Sequence, residues 1–124
     1  MTQTVKQMIE AANAVVPRVA LAQALAMIAQ GALVVDVRDA PEVAASGKVK
    51  DAINVSRGML EFRADPASPY HNQAFAPDKP AILYCASGGR SALSGKTLKD
   101  MGYDDVYNLG AFKDWAAGGG AVEA

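Results

Sequence analysis

The chain of 124 residues contains a single cysteine, Cys85, in the stretch AILYCASGGRSALSGKTLKDMG. A β-branched apolar run ends at this thiol, and Ala86, Ser87, Gly88 and Gly89 follow before a helical pattern opens near Ser91. Consecutive small residues let the backbone curl so that successive N–H groups point inward and form a nest for an anion. The N-terminus of the following helix adds about half a positive charge aimed the same way. A thiol in such a bowl ionises more readily than a free one, whose pKa is about 8.5. Its thiolate is a nucleophile, and negative charge carried on its sulfur meets the same donors. Arg90 closes the loop, either facing the anion or locking the turn through backbone carbonyls. The competing reading is a core thiol, since free Cys is among the most buried residue types. A core cysteine, however, has no need of two glycines and an arginine within the next five residues.

Other chemistry-bearing residues carry two readings each. Asp36, Asp39 and Glu42 follow a strand and are a candidate metal or phosphoryl site. The structural alternative pairs Arg38 with Glu42 in a partly buried bridge and leaves Asp36 to anchor loop backbone, and it is preferred. His71 lies in a proline-rich connection and reads as a solvated loop residue rather than an acid or base. Trp115, with Phe112, reads as a lid over the core. Lys96 is by default a solvated helix residue, and Lys48 and Lys50 are candidates for the rim of a cleft. One Cys and one His make a structural zinc site built from the protein alone untenable, so no metal and no cofactor are expected.

These residues need a frame. Residues 5–15 carry a helical apolar stripe (Val5, Met8, Ile9, Ala12) with Thr4 as N-cap. A second helix is expected over 20–30, with Gly31 as a left-handed C-cap. The run ALVVDVRD is β-branched without polar alternation, as in a strand covered on both faces. A short helix is expected over 41–46, closed by Gly47, then a strand at 51–55 and a helical turn at 59–63. Pro66, Pro69, Pro77 and Pro80 make 65–80 a surface connection. A strand at 81–85, a helix over 91–101 capped by Gly102, a strand in VYNL and a helix over 112–117 complete the order. The tail GGGAVEA reads as loose. Strands alternating with helices give an α/β fold with a mostly parallel sheet, whose ligands bind beyond the carboxyl ends of the strands. Asp36 to Asp39 and Cys85 to Arg90 both lie at such ends.

Composition sets the outer limits. Half the residues are apolar (51%), a fifth are charged (20%) and the net charge is −1, an ordinary globular balance with no electrostatic footprint for nucleic acid or an anionic membrane. The longest uncharged run, 19–35, falls short of the roughly 20 residues of a span and has Gln23, Gln30 and Gly31 within it. Leu21, Leu25 and Ile28 at i, i+4, i+7 mark it as one face of a helix, so neither a span nor a signal peptide is expected. A lone Cys makes no internal disulfide and suits a reducing compartment, so a cytoplasmic location is expected.

The loop CASGGRS resembles the active-site loop of the rhodanese-like sulfurtransferases, Cys-x-x-Gly-x-Arg followed by a small residue. VVDVRDAPEVAASGKVKDAINV is similar to that family's Asp-Val-Arg segment, the Glu after it, and its Gly-His-Ile-Pro-Gly-Ala-Ile-Asn segment. MGYDDVYNLGAFKDWAAGG resembles the closing Gly-Phe, Val-x-x-Leu-x-Gly-Gly and Trp pattern. The resemblance covers residues 33–119 in order. It implies a rhodanese-like α/β domain over 19–120, with an extra N-terminal helical extension at 1–18 and a tail at 121–124. It further implies a single-domain sulfurtransferase in which Cys85 takes sulfane sulfur from thiosulfate or a polysulfide and passes it to a thiol or cyanide acceptor, possibly a protein. Ala86, Ser87, Gly88, Gly89, Arg90 and Ser91 would hold the donor or persulfide, with Asp36, Arg38 and Glu42 in support. Two departures stand out. Lys48, Val49, Lys50 and Asp51 replace His-x-Pro-Gly, which leaves that turn open. Ala86 and Ser87 add no positive side chain, which leaves the donor open. Thiolate phosphatases carry Cys-x5-Arg, whereas Cys85 to Arg90 is Cys-x4-Arg, a bowl better sized for sulfur than for tetrahedral phosphate. The alternatives are a persulfide carrier or sulfur-sensing module that works only with a partner protein, and an idle scaffold.

Overall fold

A computed structural model describes residues 2–124; residue 1, the start of the expected extension, lies outside the described residues. Six helices and six short strands alternate: α1 (Val5–Val15), α2 (Leu21–Ala29), β1 (Leu33–Asp36), α3 (Ala40–Ser46), β2 (Lys48–Val49), β3 (Ile53–Asn54), α4 (Leu60–Ala64), β4 (Ala81–Cys85), α5 (Gly89–Asp100), β5 (Val106–Ala111), α6 (Phe112–Ala117) and β6 (Val122–Glu123). The central sheet has the order β3-β1-β4-β5 with every pair parallel, as expected from the β-branched, non-alternating strands.

Both faces of the sheet are buried, and the period-2 geometry of strands divides them. Leu33, Val35, Leu83, Cys85 and Val106 share one core with Val16, Leu60, Leu98 and Tyr103. Val34, Ile82 and Tyr84 share the other with Val19, Ala24, Leu109, Phe112 and Trp115. Thr4 caps α1 in a reciprocal capping box with Gln7. Helix α1 then seats on α5 where the latter has no side chain: a Cβ on Gly95 would come within 2.9 and 3.0 Å of the two methyls of Val16. Nearer the Cys85 loop, the Ile9 side chain leans on Gly89 in the same way.

Most element boundaries fall where the sequence places them, with four differences. Helix α5 starts at Gly89 rather than Ser91, because the Gly88 backbone already turns into the helix. Strand β3 is two residues long, and β5 runs on to Ala111 through a bulge at which Leu83 faces Asn108 but Tyr84 faces Gly110. The tail is not loose: β6 pairs antiparallel with β2, and the Ala121 carbonyl accepts from Lys50 N at 3.0 Å and from Trp115 Nε1 at 2.9 Å. The turn after β2 is held although glycine is absent from it. Asp51 adopts φ 65°, a left-handed conformation that non-glycine residues reach at roughly 1–2 kcal/mol. Its N–H is bound by the Glu123 carboxylate.

Candidate functional site

Cys85 is the last residue of β4, at the carboxyl edge of the sheet, and its exposure is 0%. The thiol belongs to an apolar core, and its sulfur also faces polar donors. The Gly88 N–H donates to Sγ at 3.0 Å, and the Ser91 hydroxyl lies 3.5 Å from it. This approach requires Gly88 at φ 98°, ψ −9°, a conformation open to glycine at little cost. Ala86 and Ser87 form the exposed rim above the sulfur. Burial alone would push the thiol up. The Ser91 hydroxyl, together with the N–H groups of Ser91, Ser87 and Gly88, outweighs that and holds Cys85 below its ordinary value. The twelve-residue α5, with no acidic side chain in its first turn, adds its positive end.

Arg90 does not lock the turn through backbone carbonyls; its main partner is a carboxylate. Its guanidinium is engaged by Glu42 in a bidentate pair, Nη1 to Oε2 and Nη2 to Oε1 both at 2.8 Å. This arginine bolts the start of α5 to α3 while remaining close enough to Cys85 to interact with it electrostatically. The pair draws the Glu42 carboxyl down to about 2, through Arg90 first and then the Asp39 N–H that closes its capping box. Both side chains are 37% exposed, so solvent screening keeps the pair near the roughly 0.2–1 kcal/mol of a surface bridge.

The expected Arg38–Glu42 bridge is likewise replaced. Arg38 pairs with Asp36, its Nη2 at 2.7 Å and Nε at 3.0 Å, in a cluster where Arg38 is 3% and Asp36 0% exposed. Asp36 also accepts from Arg38 N at 2.9 Å and from the Tyr84 hydroxyl at 2.7 Å, which bears out its role as a backbone anchor. Arg38 reaches Ser46 Oγ at 2.8 Å and the Gly47 carbonyl at 2.9 Å, and its guanidinium lies over the Phe112 ring at 4.4 Å. The registration of β1 explains the choice: Asp36 and Arg38 lie on the same side of the extended chain, while Glu42 faces outward from α3. The three acids consequently do not converge, and among the described residues no group of three or more potential metal ligands forms. Their part is to fix the β1–α3 connection that presents Glu42 to Arg90.

The other sequence candidates stand apart from the loop. His71 is not the solvated loop residue expected: its N–H donates to the Ser68 carbonyl, and its ring Nε2 is buried with no partner among the described residues. Lys96 pairs with Asp100, and Lys48 reaches the Ala52 carbonyl and Glu123. Trp115 is buried, as a core lid should be. A groove of about 280 Å³ lined by Met8, Leu93 and Lys96, and a recess of about 230 Å³ lined by Asp39, Asn54 and Arg63, both exclude Cys85. One residue of the site was not singled out from sequence: Asn108, 1% exposed, whose Nδ2 donates to the Gly88 carbonyl at 3.1 Å and whose Oδ1 accepts from Ser91 Oγ at 2.7 Å. A polar residue inside the apolar run VYNL was its signal.

Comparison with known proteins follows the same outline. The model of the rhodanese-like domain matches residues 20–118. Uncharacterized protein YqhL of Bacillus subtilis is 33% identical over 75% of this chain, and the chain spans 65% of its length. The tRNA uridine(34) hydroxylase of Rickettsia canadensis is 36% identical over 64% of this chain, which spans only 31% of that enzyme. Thiosulfate sulfurtransferase GlpE of Pseudomonas savastanoi is 32% identical over 77% of this chain and 82% of its own. Among solved structures, a Rhodopseudomonas palustris protein of unknown function, described as a possible tyrosine phosphatase, superposes with a TM-score of 0.89 at 39% identity, covering 99% of this chain and 96% of that one. The polysulfide-sulfur transferase homodimer of Wolinella succinogenes gives 0.76 at 30% identity, covering 95% and 85%. The human single-domain sulfurtransferase TSTD1 gives 0.69 at 27%, covering 82% and 96%. The helices and central sheet described above are thus a fold shared with single-domain sulfurtransferases.

Proposed function

We propose that this chain, which belongs to the rhodanese-like domain family, is a sulfurtransferase that carries sulfane sulfur on Cys85. In the first half-reaction the Cys85 thiolate attacks the outer sulfur of thiosulfate. A new S–S bond forms, the sulfur–sulfur bond of the donor breaks, and its electron pair leaves with sulfite. In the second half-reaction cyanide or a thiolate attacks the outer sulfur of the Cys85 persulfide and releases the Cys85 thiolate. A polysulfide serves the first half-reaction equally, with the shortened chain as leaving group. Charge is negative on sulfur throughout, and no metal or cofactor is needed to balance either step.

The observation that carries this reading is the convergence of donors on one sulfur. The Gly88 N–H at 3.0 Å and the Ser91 hydroxyl at 3.5 Å favour the thiolate and would equally favour a persulfide anion in its place. The names of the GlpE and Wolinella relatives support thiosulfate and polysulfide as donor classes. Against phosphatase chemistry stands Arg90, whose two terminal nitrogens are held by Glu42 rather than offered to a phosphoryl group. A thiolate that works by cycling between persulfide and free states needs a compartment that keeps it reduced, which supports the cytosol.

The test is intact mass after incubation with thiosulfate, for the wild type and Cys85→Ser. We expect a gain of one sulfur mass, reversed by cyanide and absent from the variant. An adduct with polysulfide alone keeps the chemistry and changes the donor; no adduct with either refutes it. Loading without repeated turnover on cyanide or small thiols would identify a carrier that discharges to a partner protein.

A further inference from the structure

We propose that Asn108 is the positioning residue of the Cys85 cradle, holding the loop from beneath in the conformation that stabilises a charged sulfur. The inference rests on the reading of Cys85 as the nucleophile and adds a residue to it. Asn108 lies on β5, 23 positions after Cys85 in the sequence, and is 1% exposed. A buried carboxamide is costly unless its oxygen and its NH₂ are both bonded. Here Nδ2 donates to the Gly88 carbonyl at 3.1 Å, while Oδ1 accepts from Gly110 N at 2.9 Å, at the bulge, and from Ser91 Oγ at 2.7 Å. The side chain thus ties the middle of the loop, the first turn of α5 and the bulge of β5 to one point.

Two consequences follow for the sulfur. The carbonyl and the N–H of a trans peptide point in opposite directions. The Gly88 carbonyl, held by Asn108 and by the Ala92 N–H at 3.1 Å, therefore turns the Gly89 N–H the other way, toward the mouth of the loop where an anionic donor or the outer sulfur of a persulfide must sit. The Ser91 hydroxyl has one proton and three acceptors in reach: Asn108 Oδ1 at 2.7 Å, the Gly88 carbonyl at 3.2 Å and Cys85 Sγ at 3.5 Å. Beside a neutral thiol the proton rests on the nearest acceptor, Asn108. A charged sulfur is the stronger acceptor and draws it across, so Asn108 supports the thiolate not through this proton but through the loop: Nδ2 on the Gly88 carbonyl and Oδ1 on the Gly110 N–H hold Gly88 where its own N–H meets Sγ.

Thiolate absorbance in the ultraviolet, titrated with pH against a Cys85→Ser blank, reads this directly because the chain has one cysteine. We expect Asn108→Ala to raise the midpoint by about one pH unit, a tenfold weaker acid, because the Gly88 N–H it positions then bonds the charged sulfur less well. Ser91→Ala should raise it too, because the sulfur then loses the hydroxyl 3.5 Å away. A folded Asn108→Ala protein with lower thermal stability and an unmoved midpoint would show a merely structural role and overturn the proposal. Should that variant fail to fold, the wild type still decides: the Asn108 side-chain amide resonances must shift with the midpoint of Cys85, and stationary resonances overturn it. Neither measurement needs a sulfur donor, so failure of persulfide loading would sink the sulfurtransferase reading without deciding this one.

Discussion

Gly95→Ala sets two effects of known size against each other. In the middle of α5, replacing glycine by alanine gains about 1 kcal/mol of helix propensity. In this fold, however, the added methyl would sit 2.9 and 3.0 Å from the two methyls of Val16, with the Val106 methyl at 3.4 Å alongside. Val16 is 1% exposed, and because both of its methyls face the clash, any rotation about χ1 still leaves one of them in it. Overpacking of this kind costs roughly 1–3 kcal/mol, and the upper part of that range applies where the neighbour cannot yield. The net expectation is a loss of about 1.5 kcal/mol, or roughly 6 °C in melting temperature for a chain of this length. Urea denaturation of Gly95→Ala, Val16→Ala and the double variant measures both the sum and its cause. Val16→Ala alone should cost roughly 2 kcal/mol as a cavity, and much less once alanine at 95 fills the space. A Gly95→Ala protein as stable as the wild type, or a double variant that is simply additive, would refute the account of how α1 is seated.

Two further outcomes follow from the ion pairs. Asp36→Asn leaves the Arg38 guanidinium buried without a counter-charge and should cost about 3–5 kcal/mol in chemical denaturation, where a loss under about 1 kcal/mol would mean the cluster is not what fixes the β1–α3 connection. Glu42 titrates near 2 in the folded protein against 4.5 as its ordinary value, so its stabilisation is complete above that ordinary value and is lost as pH falls toward 2. Screened by solvent, it amounts to about 1 kcal/mol. Glu42→Gln should therefore be less stable than the wild type at neutral pH and equal to it in strong acid, and a gap that survives acidification would contradict the assignment.

The layering of the fold was readable because its signals are local. Continuous β-branched runs such as LVVD and AILYC have no polar side to turn to water, so they had to be covered twice. Thr4 as N-cap, and Gly31, Gly47 and Gly102 as turns beyond helix ends, mark boundaries within one turn of themselves. The Cys85 loop was readable for the same reason, since nest and helix start lie within six residues. Partners fixed by distant packing were not. Glu42 is nearer in sequence to Arg38, yet it pairs with Arg90, 48 positions on, because the placement of α3 against α5 decides which guanidinium it meets. The tail, too, reads as loose from GGGAVEA alone; only the positions of Trp115 and β2 give its backbone groups partners. Asn108 falls between these cases, because the oddity was local and its meaning was not.

The parallel character of the central sheet has a consequence for how the chain reaches this state. No two of its four strands can meet through a hairpin, so no strand contact is available to a short segment. Asp36 and Tyr84, partners across the middle of the sheet, are separated by 48 residues, and that loop must close before any of the contact's energy is returned. Such topologies fold more slowly than helical ones, with helices able to flicker first and strands assembling together. Until β5 docks, the Gly88 carbonyl and the Ser91 hydroxyl have no Asn108 to hold them, and only donors within the loop serve Cys85. The full set of donors around Cys85 is thus completed by a long-range step of folding, not by the loop alone.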